Sequence, residues 1–593
     1  MKKSKKVIAL LLAVAMVSTM ALTGCKSKEN NAASTTEPTA TQAAADDTAA
    51  TATPTVEAKY DGDTGFDIGD VETYDILWES NFQGFDNWES PVAQKITEMT
   101  GVKLNFIMAT GDYNEQVALM LAGGDYPDLM LAQSDTLATL VNAGVTVDLS
   151  AMIDKYGPNI KKFYGDYYKR LSYSVDNPAI YGFGVGTQYT DQAEGIYWNS
   201  AFWLQLGVIK ELGYPQIKTL DQFEDALVKY KTAHPKYDGQ DTIGLTLVTS
   251  DGWRYLISLT NPSYYSAGKP DNGEWYVDDT KGEVRYHYRE ESDKDYFKWL
   301  NKLYNEGILD PESFTQTYDE YIAKISSGRV LGLIDGYWEF SSACDALTAA
   351  GKNDRTYMPF AVTQKEGEVY PANWSDGGIS SGGIIVTNKC KNPEKIVNFF
   401  NYLASDDGQV LREWGIKDVN YTVSADGTRV RNPEDVKRDL ADPYKYLSET
   451  GVKVYRSLYW CLQGRGYTLA DGQPLNSEDS SSTIAAFTAE QKEALAAYGY
   501  NDFTDAIPKP ELFPKRIYGS MSSYSPSTEE LQTILTNAGD YRLPDITNAV
   551  LGSEADFDAN WATFMKHLDD TGLSKVEAEA TQVYQNRLKA WGN

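Results

Sequence analysis

With 41 tyrosines and 13 tryptophans, this chain is rich in side chains suited to recognition rather than bond-making. An aromatic face accepts the apolar C–H side of a sugar ring, while carboxylates, amides and guanidinium groups pair with its hydroxyls. Sequence context favours some of these rings. Asp335-Gly336-Tyr337-Trp338-Glu339 follows an apolar strand pattern at Val330-Leu331-Gly332-Leu333-Ile334, and open α/β sheets place ligands at such strand ends. Trp338 is the leading candidate, with Tyr337 and Glu339 beside it. The glycine-permitted loop around Asn373 offers Trp374 and Asp376, and the loop after the first strand runs from Trp78 through Asn81 to Trp88. Trp198, and Trp253 with Arg254, follow further predicted elements, and Arg254 can make a bidentate pair. For each ring the competing expectation is packing in the core of a large protein.

Bond-making signatures are weak by comparison. A glycoside hydrolase needs two carboxylates facing each other across a sugar, and the 84 acidic residues contain many neighbours, such as Asp569-Asp570, that read as solvated helix ends. No H-E-x-x-H, no phosphate-binding glycine loop and no G-x-S-x-G in a strand-turn-helix setting is present. His234, His287 and His567 are the three histidines, widely spaced, so neither a metal centre nor a histidine base is expected. No cofactor is implied. Cys344, Cys390 and Cys461 form no CxxC pair, which leaves buried thiols, or one disulfide with one thiol free.

These candidates must be positioned by elements legible in the pattern. Tyr74–Trp78 reads as a strand; Ser90 and Pro91 open a helix that Gly101 closes; Val102–Phe106 alternates as a second strand. Asp112 caps the next helix, which stops at Gly123-Gly124 before a strand at Asp128–Leu131. That β-α-β-α-β order predicts a parallel sheet with helices on its faces, an α/β fold. The C-terminus is helical, with Phe557, Trp561, Phe564 and Leu568 on one face, and Ser574 with Glu577 expected as a capping box.

Residues 1–24 combine Lys2, Lys3, Lys5 and Lys6 with a short apolar run and small residues before Cys25, the pattern of a cleaved secretion signal. Residues 25–70, rich in Ala, Thr and Asp, cannot bury enough apolar surface to fold and read as a flexible tether. The net charge of −30 becomes about −34 when the four signal lysines are removed, and such a balance repels nucleic acid.

Leu22-Thr23-Gly24-Cys25 resembles the bacterial lipobox, whose cysteine carries diacylglycerol; Cys25 would anchor the chain to the outer face of the cell membrane. Further blocks, in order, resemble the extracellular solute-binding proteins of ABC importers, family 1, of the oligosaccharide-receptor lipoprotein type. They are Leu119–Leu129, Val147–Ser150, Tyr156–Asn159, Ala179–Phe183 (similar to the strand crossing between lobes), Leu206-Gly207, Thr219–Phe223, Leu303–Leu309, Asn398–Ser405 and Trp414–Ile416. The segment before Trp338 also resembles the sugar-stacking turn of maltose-type receptors.

This resemblance implies a two-lobed, periplasmic-binding-protein-like fold of type II. Ligand would sit in a cleft between lobes joined by hinge crossings. Residues 71–185 and 365–405 would form the N-terminal lobe, and 186–364 and 406–593 the C-terminal lobe. The implied function is a non-enzymatic, monomeric receptor that captures an oligosaccharide and delivers it to permease subunits in the membrane. A receptor for peptides or another polar solute is the alternative, and a surface glycoside hydrolase or adhesin a more distant one. Where many relatives carry a calcium loop, His234–Thr242 has only two carboxylates at shortened spacing, so no calcium is expected there.

Overall fold

In a computed structural model, the described residues are 60, 64–79, 85–174, 177–184, 200–250, 252–372, 374, 381–459, 468–477, 484 and 487–592. Cys25, Asn81, Trp198, Asp376 and Cys461 lie outside them, as do the expected signal and nearly all of the expected tether. Strands β1 (Glu72–Trp78), β2 (Val102–Met108), β3 (Leu129–Ala132) and β4 (Gly182–Phe183) come first in the chain. They are followed by β5 (Ala201–Gln205), β6 (Lys236–Tyr237), β7 (Gln240–Asp241), β8 (Ile243–Thr246), β9 (Trp275–Asp278) and β10 (Glu283–Tyr286). Then come β11 (Val330–Asp335), β12 (Tyr357–Phe360) and β13 (Gly383–Val386).

Two mixed sheets organise the protein, in the orders β2-β1-β3-β13-β4 and β12-β5-β11-β8. The first begins as expected: β1 pairs in parallel with both β2 and β3. Helix Pro91–Thr100 between them starts where Ser90 accepts the Ala93 N–H and ends at Gly101, whose φ of 67° suits a residue without a side chain. Pleat alternation sends Ile76 and Trp78 to one core and Leu77 to the opposite face, where it meets Met130 and Ile385. Strand β13 then adds antiparallel to β3.

In the second sheet β11 is parallel to β8 and antiparallel to β5. All six residues of β11 are buried, as expected for a central strand covered on both faces. Its core also takes Phe557, Trp561, Phe564 and Leu568 from the C-terminal helices.

The lobe boundaries expected from the resemblance shift. Tyr370 and Ala372 pack in the core of the second sheet, whereas Leu411, Tyr446, Val452, Tyr455 and Leu458 pack in that of the first. The expected break after residue 405 fails because helix Asp406–Trp414 folds back: buried Arg412 donates to the Leu403 carbonyl at 3.1 Å. The capping box expected at Ser574 is also absent. Leu573 occupies the cap position of helix Ser574–Trp591, and the Glu577 carboxylate instead accepts the Tyr286 N–H at 3.0 Å and the Arg289 guanidinium at 2.9 Å.

Candidate functional site

Among the described residues, the end of β11 is where predicted ligand residues converge. Asp335, fully buried, accepts the Gly336 N–H on one carboxylate oxygen and the Tyr321 hydroxyl on the other, both at 2.8 Å, and its carbonyl accepts the Trp203 indole N–H at 2.8 Å. Burial, and then the nearby Glu339 charge, holds its carboxyl well above the usual carboxylate range. Beyond Gly336 the chain enters helix Tyr337–Ala349. The helical turn separates three successive side chains. Tyr337 packs on Trp203 and Phe340, Trp338 is 45% exposed, and Glu339 is buried at 2% exposure.

A buried carboxylate needs a partner. Glu339 receives it from Arg254, whose Nε lies 3.1 Å from Oε2. Arg254 closes a short 3-10 turn, Gly252–Arg254, and its guanidinium sits 4.1 Å from the Tyr318 ring centre. The Tyr318 hydroxyl donates to the Glu339 carbonyl at 2.5 Å. Because Arg254 follows Trp253 and Glu339 follows Trp338, this ion pair draws the two indoles together. Their centroids are 5.7 Å apart with 26° between planes, and Trp253 is 47% exposed. The result is an exposed, nearly parallel tryptophan pair resting on a buried ionic clasp, a geometry that offers an apolar face beside charged hydrogen-bonding groups.

Sequence reasoning missed Tyr318 and Tyr321 as supports. The Thr317–Glu320 capping box, which starts helix Tyr318–Ser326 and thereby sets both rings, was the available signal.

The other described candidates, Trp78, Trp88 and Trp374, are not brought to this place. Trp78 and Trp88 were expected to face a ligand, and both are core residues, 6% and 2% exposed. Trp88 turns inward because Asp86 accepts the backbone N–H groups of Trp88 and Ser90, leaving Trp88 at a φ of 63°, and its indole donates to Thr97 at 2.9 Å. Its ring meets Phe106, Phe399 and Tyr455. Trp374 is half-buried, stacked on Phe513 at 5.3 Å, with its indole donating to the Pro514 carbonyl at 2.6 Å.

Where many relatives carry a calcium loop, β6 and β7 form a hairpin turned by Asp238 and Gly239, with φ of 48° and 78°. Each of its two carboxylates faces a lysine: Asp238 is 3.1 Å from Lys352, and Asp241 is 2.9 Å from Lys236. Among the described residues no group of three or more His, Cys, Asp or Glu side chains could hold a metal ion. Cys344 and Cys390 are buried free thiols, and burial pushes Cys390 up to about 12. No helix among the described residues is long and apolar enough to cross a membrane.

Comparison with known proteins places this geometry in a class. Residues 91–418 match the family described as bacterial extracellular solute-binding protein, and the chain belongs to that family. Among curated relatives it is 24% identical over 337 residues to the fructooligosaccharide ABC transporter substrate-binding protein FusA of Streptococcus pneumoniae, covering 55% of this chain and 60% of that protein. It is 22% identical over 388 residues to lipoprotein LipO of Bacillus subtilis, covering 63% and 72%. FusA in complex with kestose superposes with a TM-score of 0.57 at 18% identity, covering 87% of this chain and 99% of that one. A solute-binding protein of Bifidobacterium longum infantis, described as binding HMO, gives 0.59 at 17% identity, covering 88% and 99%. The fold is therefore periplasmic-binding-protein-like.

Proposed function

We propose that this chain is the oligosaccharide receptor of an ABC importer, and that Trp338 and Trp253 form its sugar-stacking platform. One observation carries the reading: two half-exposed, nearly parallel indoles sit at the end of a buried central strand, held by the Arg254–Glu339 pair. A sugar ring presents its C–H face to such a surface, and its hydroxyls reach the polar groups at the margin. FusA, a relative, is named for fructooligosaccharides, which supports a carbohydrate ligand. The receptor carries out no bond-making step. It binds its ligand between its two sheets and hands it to permease subunits in the membrane. The lipobox-like Cys25 tethers it to the outer face of that membrane, and it works as a monomer.

A melting scan of the full chain tests the reading, against kestose, manno-, xylo-, gluco- and galacto-oligosaccharides, with peptides and a chelator as controls. Ligand at 100 times its dissociation constant adds about 2.7 kcal/mol, a shift of several degrees. A shift confined to one sugar series supports the proposal. A shift with peptides alone, or steady release of sugar products, contradicts it.

A further inference from the structure

Beyond edge strand β12 the surface holds a groove of about 610 Å³, within the size range of small-ligand sites. Its lining includes Gln216, Lys218, Glu368, Tyr498, Tyr500 and Asp505, none of which belongs to the tryptophan platform. The sheet order β12-β5-β11-β8 sets β5 between this edge and β11, the strand that leads into the helix carrying Trp338.

Local structure prepares an aromatic face in the groove. Helix Ala489–Tyr498 ends at Gly499 with a φ of 74°, and the Tyr500 N–H returns to the Leu495 carbonyl at 2.9 Å. That reversal lays Tyr500 on Tyr498, with centroids 5.7 Å apart and planes 18° from parallel. Tyr498 cannot swing away easily. Its hydroxyl donates to the Pro215 carbonyl at 2.9 Å, and Phe360 and Tyr214 brace it edge-on at 5.9 and 6.0 Å.

Polar chemistry completes the site. Oε2 of Glu368 has no hydrogen-bond partner, and half-buried Glu368 lines the groove, so a turn of its side chain toward the groove would let a ligand donor relieve a costly unpaired state. Asp505 spends one carboxylate oxygen on the N–H groups of Asn501, and Lys218 and Gln216 add donors. A ligand that suits this set has a flat apolar face for the stacked tyrosines and hydroxyls that both donate and accept.

We propose that the groove is a second carbohydrate-binding site, taking a short oligosaccharide independently of the tryptophan platform. The full chain is titrated by calorimetry and by saturation-transfer NMR with kestose, maltotriose and mannotriose. The natural chain, Trp338→Ala, Glu368→Gln, Tyr500→Ala and the Trp338→Ala/Tyr500→Ala pair are compared. Binding of at least one trisaccharide should survive Trp338→Ala, weaken tenfold or more with Glu368→Gln or Tyr500→Ala, and vanish in the double variant. Glu368→Gln, which keeps the side-chain shape, guards against loss through misfolding. The proposal is overturned if no trisaccharide binds Trp338→Ala, or if Glu368→Gln and Tyr500→Ala leave every titration unchanged. Failure of the platform alone would appear differently: Trp338→Ala would match the natural chain while the groove variants still lost binding.

Discussion

Arg254→Leu tests whether the ion pair sets the tryptophan platform. Removing one partner of a fully buried ion pair costs about 3–5 kcal/mol, because the other charge is left in a poor solvent. Glu339 is 2% exposed but Arg254 is 24% exposed, so part of that charge is already screened and about 2–3 kcal/mol is the better expectation. Loss of the guanidinium also frees the turn that carries Trp253. Circular dichroism should therefore lose the exciton signal of two indoles stacked at 5.7 Å, and sugar affinity should fall about tenfold, or about 1.4 kcal/mol. Replacing both partners, Arg254→Leu with Glu339→Leu, should recover much of the stability, since apolar pairs often replace buried ion pairs without loss. It should not recover the couplet or the affinity. An Arg254→Leu chain with natural melting temperature and an intact couplet would refute the reasoning.

Trp88→Ala should cost about 3–5 kcal/mol in denaturant titration, as for other large core truncations; a loss under 1 kcal/mol would mean that the ring is not core. Asp335 has a raised folded pKa, so its contribution favours folding below the unfolded value and is lost as pH rises through the folded one. Asp335→Asn should remove that slope, and its melting advantage over the natural chain should widen from pH 4 to pH 7, by at most about 1.4 kcal/mol per pH unit; a constant or narrowing gap would count against it. Chelator or added calcium should leave the melting temperature unchanged, because lysines face both hairpin carboxylates; a rise with calcium would reverse that expectation.

The parts of the fold that rest on local pattern were legible: the first three strands, their glycine-ended helices and the apolar face from Phe557 to Leu568. The Asp335–Glu339 turn was legible for the same reason, since an apolar strand run marks where its end must lie. What depends on long-range partners was not. Glu339 and Arg254 are 85 positions apart, and nothing local says that Glu339 is the buried one. Trp88 looked like an open-loop residue because the inward turn depends on Asp86 taking two backbone N–H groups and on Tyr455, 369 positions away from Asp86. Glu577 had the spacing of a helix cap, but an arginine from the neighbouring sheet region took its carboxylate. The boundary after residue 405 misled because helix Asp406–Trp414 begins with its own Ser405 cap, a start signal that says nothing about which core the helix joins.

The central claim is tested most directly by calorimetric titration of the natural chain and of Trp338→Ala with the oligosaccharide that gives the largest melting shift. Loss of a desolvated aromatic anchor should weaken binding by about 1–3 kcal/mol, with the melting temperature of the free protein unchanged because Trp338 is 45% exposed. Equal affinity in the two proteins, with the fold intact, would contradict the account.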